Sequence, residues 1–187
     1  MMKILRILIC LSYLLSALFS AADPKRKEMA SDDWITPPNG ELSAAYSGGS
    51  LKIRHKLTGR LYPTVRVLTP LLSLKWTGDS KTIVTIEHIA GGSCAALVHF
   101  DGKAWRRHDA DPAGGPYNHI EVLNQEIGND SVRITFAADL RRKGTTFAYF
   151  ICAFDVNPAT NVRSNETRKE VTEAEYDSIF GQLADEK

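Results

Sequence analysis

From Leu51 onward, short runs of Val, Ile, Leu, Phe and Thr are cut at close intervals by turn-forming residues, and this punctuation limits the fold more than any other feature of the chain. The breaks fall at Thr58-Gly59, Thr77-Gly78-Asp79-Ser80, Gly91-Gly92, Asp101-Gly102, Ala113-Gly114-Gly115-Pro116, Gly128-Asn129-Asp130 and Asn157-Pro158. Glycine takes positive φ without steric cost and Asp or Asn tolerates it, so each break can close a hairpin. The runs between them predict strands near 51–57, 61–68, 71–76, 82–89, 94–100, 104–108, 117–126, 131–138 and 145–156. Strands joined by such short turns pair antiparallel. Within 82–89, Val84 and Ile86 face one way and Ile83 and Ile89 the other, which places that strand inside a sheet rather than at its edge. The expected fold is all-β: an antiparallel meander, sandwich-like or an open set of blade-like repeats, with one C-terminal amphipathic helix.

The two ends differ from this body. Residues 1–22 read as a signal peptide: Lys3 and Arg6 precede an apolar run from Ile7 to Phe19, and Ser20, Ala21 and Ala22 suit a cleavage site. The run is short for a membrane span, which needs ~20 apolar residues. The expectation is therefore an exported protein, periplasmic or secreted, with no membrane span after cleavage. Removing Lys3 and Arg6 from the 23 basic residues leaves 21 against 22 acidic ones. That balance argues against nucleic acid as a partner and gives no electrostatic reason to expect a membrane surface. Residues 23–47 read as a polar arm or linker, with Trp34-Ile35 as its one anchor, and 48–165 as the β domain.

In the C-terminal segment, 166–187, Thr172 with Glu175 forms a capping box, and Glu173, Glu175 and Asp177 suit the positive end of a helix dipole. Tyr176, Ile179, Phe180 and Leu183 then line one helix face. That stripe either covers the chain's own sheet or docks a partner.

Cys94 and Cys152 survive cleavage, both in apolar strand-like runs. An oxidising compartment permits a disulfide between them, and buried free thiols fit the same runs.

An internal repeat is also present. Gly48-Gly49-Ser50, Thr58-Gly59-Arg60 and Tyr62 recur as Gly91-Gly92-Ser93, Asp101-Gly102-Lys103 and Trp105, each 43 residues on. The segment Leu74-Lys75-Trp76-Thr77-Gly78-Asp79-Ser80-Lys81-Thr82-Ile83-Val84 resembles the inner strands of β-propeller blades of the TolB and WD-repeat type. The resemblance implies blade-like meanders. The span from Gly48 to Asn165 has room for fewer than three such blades, short of the ~4 a closed propeller needs.

Chemistry-bearing residues concentrate in the polar loop 106–121. His108, Asp109, Asp111, His119 and Glu121 could hold a divalent metal or form an acid/base pair, since His119 and Glu121 share one face of a strand. An ordinary solvated hairpin loop explains the same residues. No Gly-x-Ser-x-Gly, P-loop or His-Glu-x-x-His is present. The first reading is an exported, non-enzymatic β module that binds a protein, a peptide or a glycan and needs no cofactor. The alternative is an exported hydrolase-type enzyme built on the 106–121 cluster, with or without a metal. A third is a subunit that pairs with its own copy as a homo-oligomer.

Overall fold

The computed structural model describes residues 33–185 except 114, 116, 129 and 142–145. The signal peptide expected at 1–22 and the start of the arm lie outside the described residues, as do Gly114 and Pro116 of the polar loop. The described elements are β1 (Leu42–Ser47), β2 (Ser50–His55), β3 (Val65–Arg66), β4 (Leu71–Trp76), β5 (Thr82–Ile89), β6 (Gly92–Phe100), β7 (Trp105–Asp109), β8 (His119–Ile127), β9 (Val132–Arg141), β10 (Phe147–Asn157), β11 (Val162–Val171) and α1 (Glu173–Asp185). The fold is mostly β with antiparallel sheets and one C-terminal helix, as the turn punctuation predicts.

β1, β2 and β3 form one three-stranded sheet. The other eight strands join in the order β11-β10-β9-β8-β6-β5-β4, with β7 also on β6. Along this sheet the β6–β8 contact is a single parallel pair, Gly92 with Ile120. Farther along β6, from Ala96 to Phe100, the same edge is taken by β7. The sheet therefore divides at Gly92 into two four-stranded meanders, β4–β7 and β8–β11.

These two halves face each other. Val84, Ile86, Ala95 and Leu97 from one half share a core with Ile120, Val122, Ile134, Phe136, Phe150 and Phe154 from the other. Phe136 and Phe154 stack with ring centroids 5.7 Å apart and are fully buried. A flat open sheet would leave such rings half in water, so mutual cover by the two halves is what removes them. Gln125 of β8 also reaches across to Ser73 of β4, Nε2 to Oγ at 3.3 Å. The opposite face of β4–β7 carries Leu71, Leu74, Trp76, Ile83, Val98 and Trp105, which pack on Ala44, Tyr46, Leu51, Ile53 and Val65 of the β1–β3 sheet. The molecule is thus three meander layers with a core on each side of the middle one, which is why β5 is apolar on both faces.

The 43-residue repeat has a structural counterpart. Gly48-Gly49 is the two-residue turn between β1 and β2, while in the second copy the turn is Ala90-Gly91 and Gly92 enters β6. The matched aromatics, Tyr62 and Trp105, meet edge to face at 6.2 Å, so the two copies pack on each other.

The layer junction depends on close backbone approach. Ile120 donates its N–H to the Gly91 carbonyl at 2.8 Å, and Val122 donates to Ser93 Oγ at 2.9 Å. A Cβ on Gly92, whose φ is 117°, would stand 2.0 Å from the Ile120 carbonyl oxygen. No side chain fits there.

Three expected boundaries need correction. The arm expected at 23–47 contains β1, and Ile35 already bridges Ala44. Its centre is Ala44-Ala45, between Ser43 and Tyr46, with no period-2 alternation, a weak strand signal. The run 61–68 yields only the two residues of β3, because Pro63 has no N–H for a ladder. Residues 166–171, expected in the helical segment, complete β11. That strand is polar almost throughout and exists by backbone pairing with β10, so it has no alternation to read. The helix starts at Glu173, and the capping box forms as the sequence predicts: Thr172 N–H to Glu175 Oε2 at 2.8 Å and Glu175 N–H to Thr172 Oγ1 at 3.2 Å. Tyr176 is buried with its ring 4.8 Å from that of Tyr149 on β10, so the helix covers its own sheet at this residue. The side chains of Phe180 and Leu183 lie outside the described residues.

A Gly92→Ala variant is expected to lose about 3 kcal/mol or more in urea unfolding, from strain and overlap together. Gly59, at φ 66° with open space around it, is the control and is expected to lose about 1 kcal/mol on the same change. Equal losses at the two positions would show that the junction does not depend on that close approach.

Candidate functional site

Two buried polar centres and one exposed loop stand out against the apolar layers. The first centre lies between the β1–β3 sheet and the middle layer. Alternation along β5 turns Thr85 and Glu87 toward β1–β3 together with Ile83. Glu87 is fully buried. Its Oε2 accepts the Leu68 N–H at 2.6 Å and Arg107 Nη2 at 3.0 Å, and its Oε1 accepts the Thr85 hydroxyl at 2.7 Å. Arg107 also pairs with Asp109. Cys94 sits directly across from Glu87 on β6. Burial, then the nearby carboxylates of Asp111 and Glu87, pushes its thiol up to about 12. A thiol so held stays protonated near neutrality and is a poor nucleophile.

The second centre lies where β8 meets the Gly91-Gly92 junction, under α1. His119 Nε2 and Glu121 Oε2 both come within 3.0 Å of the point a Cβ on Gly92 would occupy, so the two side chains converge there. His119 Nδ1 is 3.1 Å from the Tyr176 hydroxyl. Burial, then the neighbouring carboxylates of Asp139 and Glu121, raises the Tyr176 phenol well above its ordinary range. Tyr149 donates its hydroxyl to Glu173 at 3.0 Å. These bonds fasten α1 to the sheet.

The five residues of the expected metal or acid/base set do not meet as one group. His119 and Glu121 come together at Gly92, whereas His108 and Asp109 lie on β7, opposite Leu97 and Ala96 of β6. Gly92 and Ala96 are four residues apart on one strand, about 13 Å at strand rise. Asp109 is engaged by Arg107. Asp111 follows β7 half-buried, its carboxyl raised by burial and then by Asp109. Among the described residues no three His, Cys, Asp or Glu side chains gather as a metal would need. The shared β6 edge explains the split: β7 and β8 lie end to end along it, not side by side.

Of the two states the sequence leaves open for Cys94 and Cys152, the disulfide is not formed; both thiols are free and buried. Cys94 faces Glu87 on the β1–β3 side, whereas Cys152 belongs to the core between the two halves, so β6 and the layer contact separate them.

The exposed loop joins β2 to β3. Leu57 is 88% exposed and Leu61 62%. The loop is nonetheless tied down by backbone bonds: Gly59 N–H to His55 O at 2.8 Å, His55 N–H to Arg60 O at 2.9 Å and Tyr62 N–H to Ile53 O at 2.9 Å. The sequence marks this loop only as the turn at Thr58-Gly59 and does not show Glu87 and Arg107 as a buried pair. A carboxylate inside the apolar run Ile83–Ile89 was the available sign, because an acid buried in a strand must find a partner.

No family model matches the chain, and no curated protein sequence matches it. Among solved structures, Kuenenia stuttgartiensis hydrazine synthase aligns with a TM-score of 0.36 at 10% identity, over 80% of this chain and 53% of that one. The chain thus spans about half the length of that protein. A likeness at this level carries no argument about fold or function.

Thiol titration checks the layer assignment of the cysteines. Without reductant, the cleaved chain is expected to show two reactive thiols when unfolded and none at pH 8 when folded, because both are buried and Cys94 is held protonated. No thiol after unfolding would restore the disulfide.

Proposed function

We propose that the chain is an exported binding module with no reaction of its own, and that the Lys56–Leu61 loop is its contact surface. The observation that carries this reading is the pair of leucines held out in water on a hydrogen-bonded turn. A single exposed leucine is ordinary, but two on one tied-down, six-residue loop cost solvation without any internal return. A rigid loop also loses little entropy on binding. The chemistry-bearing side chains support the same reading from the other side. Glu87 bonds Arg107 within the middle layer and Leu68 of the first, and His119 and Tyr176 bond each other beneath the helix. These groups hold the protein's own layers rather than open onto a substrate.

Export is checked by the intact mass of protein recovered from its host, expected to lack residues 1–22. The contact surface is checked by placing a photo-crosslinking residue at Leu57 in the producing cell, with Val162, 60% exposed on β11, as the control position. Adducts at 57 and not at 162 are expected. Equal adducts at both positions, or none at either, would count against the loop.

A further inference from the structure

The loop belongs to an unusually basic part of the chain. From Leu42 to Gly78 the sequence holds Lys52, Arg54, Lys56, Arg60, Arg66 and Lys75 and no Asp or Glu, although the whole chain has 22 acidic residues. All but Lys75 lie in the β1–β3 layer or its loops. Lys56, Arg60 and Arg66 are exposed, and Arg54 stacks on the Trp34 ring at 3.8 Å. The near-neutral charge of the whole chain therefore hides a cationic layer at one end of the stack. Acids do flank this layer: Glu41, whose carbonyl accepts the Lys56 N–H, precedes β1, and Asp33 is the chain neighbour of Trp34.

We propose that the Lys56–Leu61 loop docks on an anionic lipid surface. The proposal rests on the loop's being the contact surface and names its partner. Each exposed leucine is the chain neighbour of an exposed cation, Lys56 beside Leu57 and Arg60 beside Leu61. A membrane interface asks for this pairing: an apolar side chain entering the acyl boundary while a long basic side chain stays with the phosphates. Leu57 is almost fully exposed and Gly59 has open space around it, so an acidic protein partner would have to bring its own pocket to bury Leu57. Lipid closes around such a side chain without one. The absence of any acid on the loop removes the repulsion that a negative surface would otherwise impose.

The test is sedimentation of the cleaved chain with vesicles of phosphatidylcholine alone and of phosphatidylcholine with phosphatidylglycerol. Binding to the anionic vesicles only, weakened by added salt, is expected. A Lys56→Glu/Arg60→Glu double variant is expected to reduce partitioning by roughly tenfold or more. A Leu57→Ser/Leu61→Ser variant is expected to abolish it by a separate route, while Val162→Ser leaves it unchanged. No binding to anionic vesicles, or binding that survives both double variants, overturns the proposal. Should position 57 crosslink to a protein in the cell while vesicles are not bound, the lipid partner falls and the loop stands as the contact surface. Failure of both experiments removes both.

Discussion

The carboxylate of Glu87 fixes how the first layer sits on the second. A carboxylate shut away from water is tolerated only when its oxygens are filled, and here three separate elements fill them. Leu68 comes from the loop leaving β3, Thr85 from β5 itself, and Arg107 from β7. The apolar contact between the layers is non-directional and would accept many small slides. The carboxylate does not, because a slide of the first layer would carry the Leu68 N–H away from it while Thr85 and Arg107, on its own layer, stay in place. Burial of side chains such as Trp76, Leu51 and Ile53 supplies attraction between the layers, and Glu87 supplies register.

The second junction is fixed by a different device. At Gly92 two backbones approach so closely that hydrogen has to stand where other residues have carbon. β6 can then pair with β8 at one end and β7 at the other, and the two halves of the large sheet can turn face to face. His119, Glu121 and Tyr176 gather at this same place, so the residues that first suggest chemistry serve to hold α1 over the junction. With both inner faces of the stack occupied, what remains for recognition lies on its outside. There the β1–β3 layer offers a tied-down loop with leucines and cations in adjacent positions.

The sequence made the middle of this fold legible and its margins obscure. β4 to β10 were readable because glycine-bearing turns separate runs with clear apolar patterns, and the two-sided pattern at 83–89 marked the central strand. β11 was not, since its pattern is polar and only β10 holds it. β1 was hidden by small residues next to a proline-rich stretch. The candidate site was legible in part. Alternation correctly joined His119 to Glu121, but nothing local shows that β7 and β8 lie end to end on one strand edge, which is what separates them from His108 and Asp109. The basic character of the first layer was averaged away in a whole-chain charge that is close to zero.

The role given to Glu87 is tested most directly by hydrogen exchange, read by mass spectrometry, on the wild-type chain and a Glu87→Gln variant. The amide has one accepting oxygen where the carboxylate has two, and no charge to hold Arg107, so the bonds from Leu68, Thr85 and Arg107 are not all kept and the first layer loses part of its hold while the second junction is untouched. Peptides covering β1 to β3 are expected to lose protection together, with those of β8 to β10 retaining theirs. An unchanged exchange pattern, or an equal loss over all three layers, would contradict a carboxylate that governs the docking of the first layer.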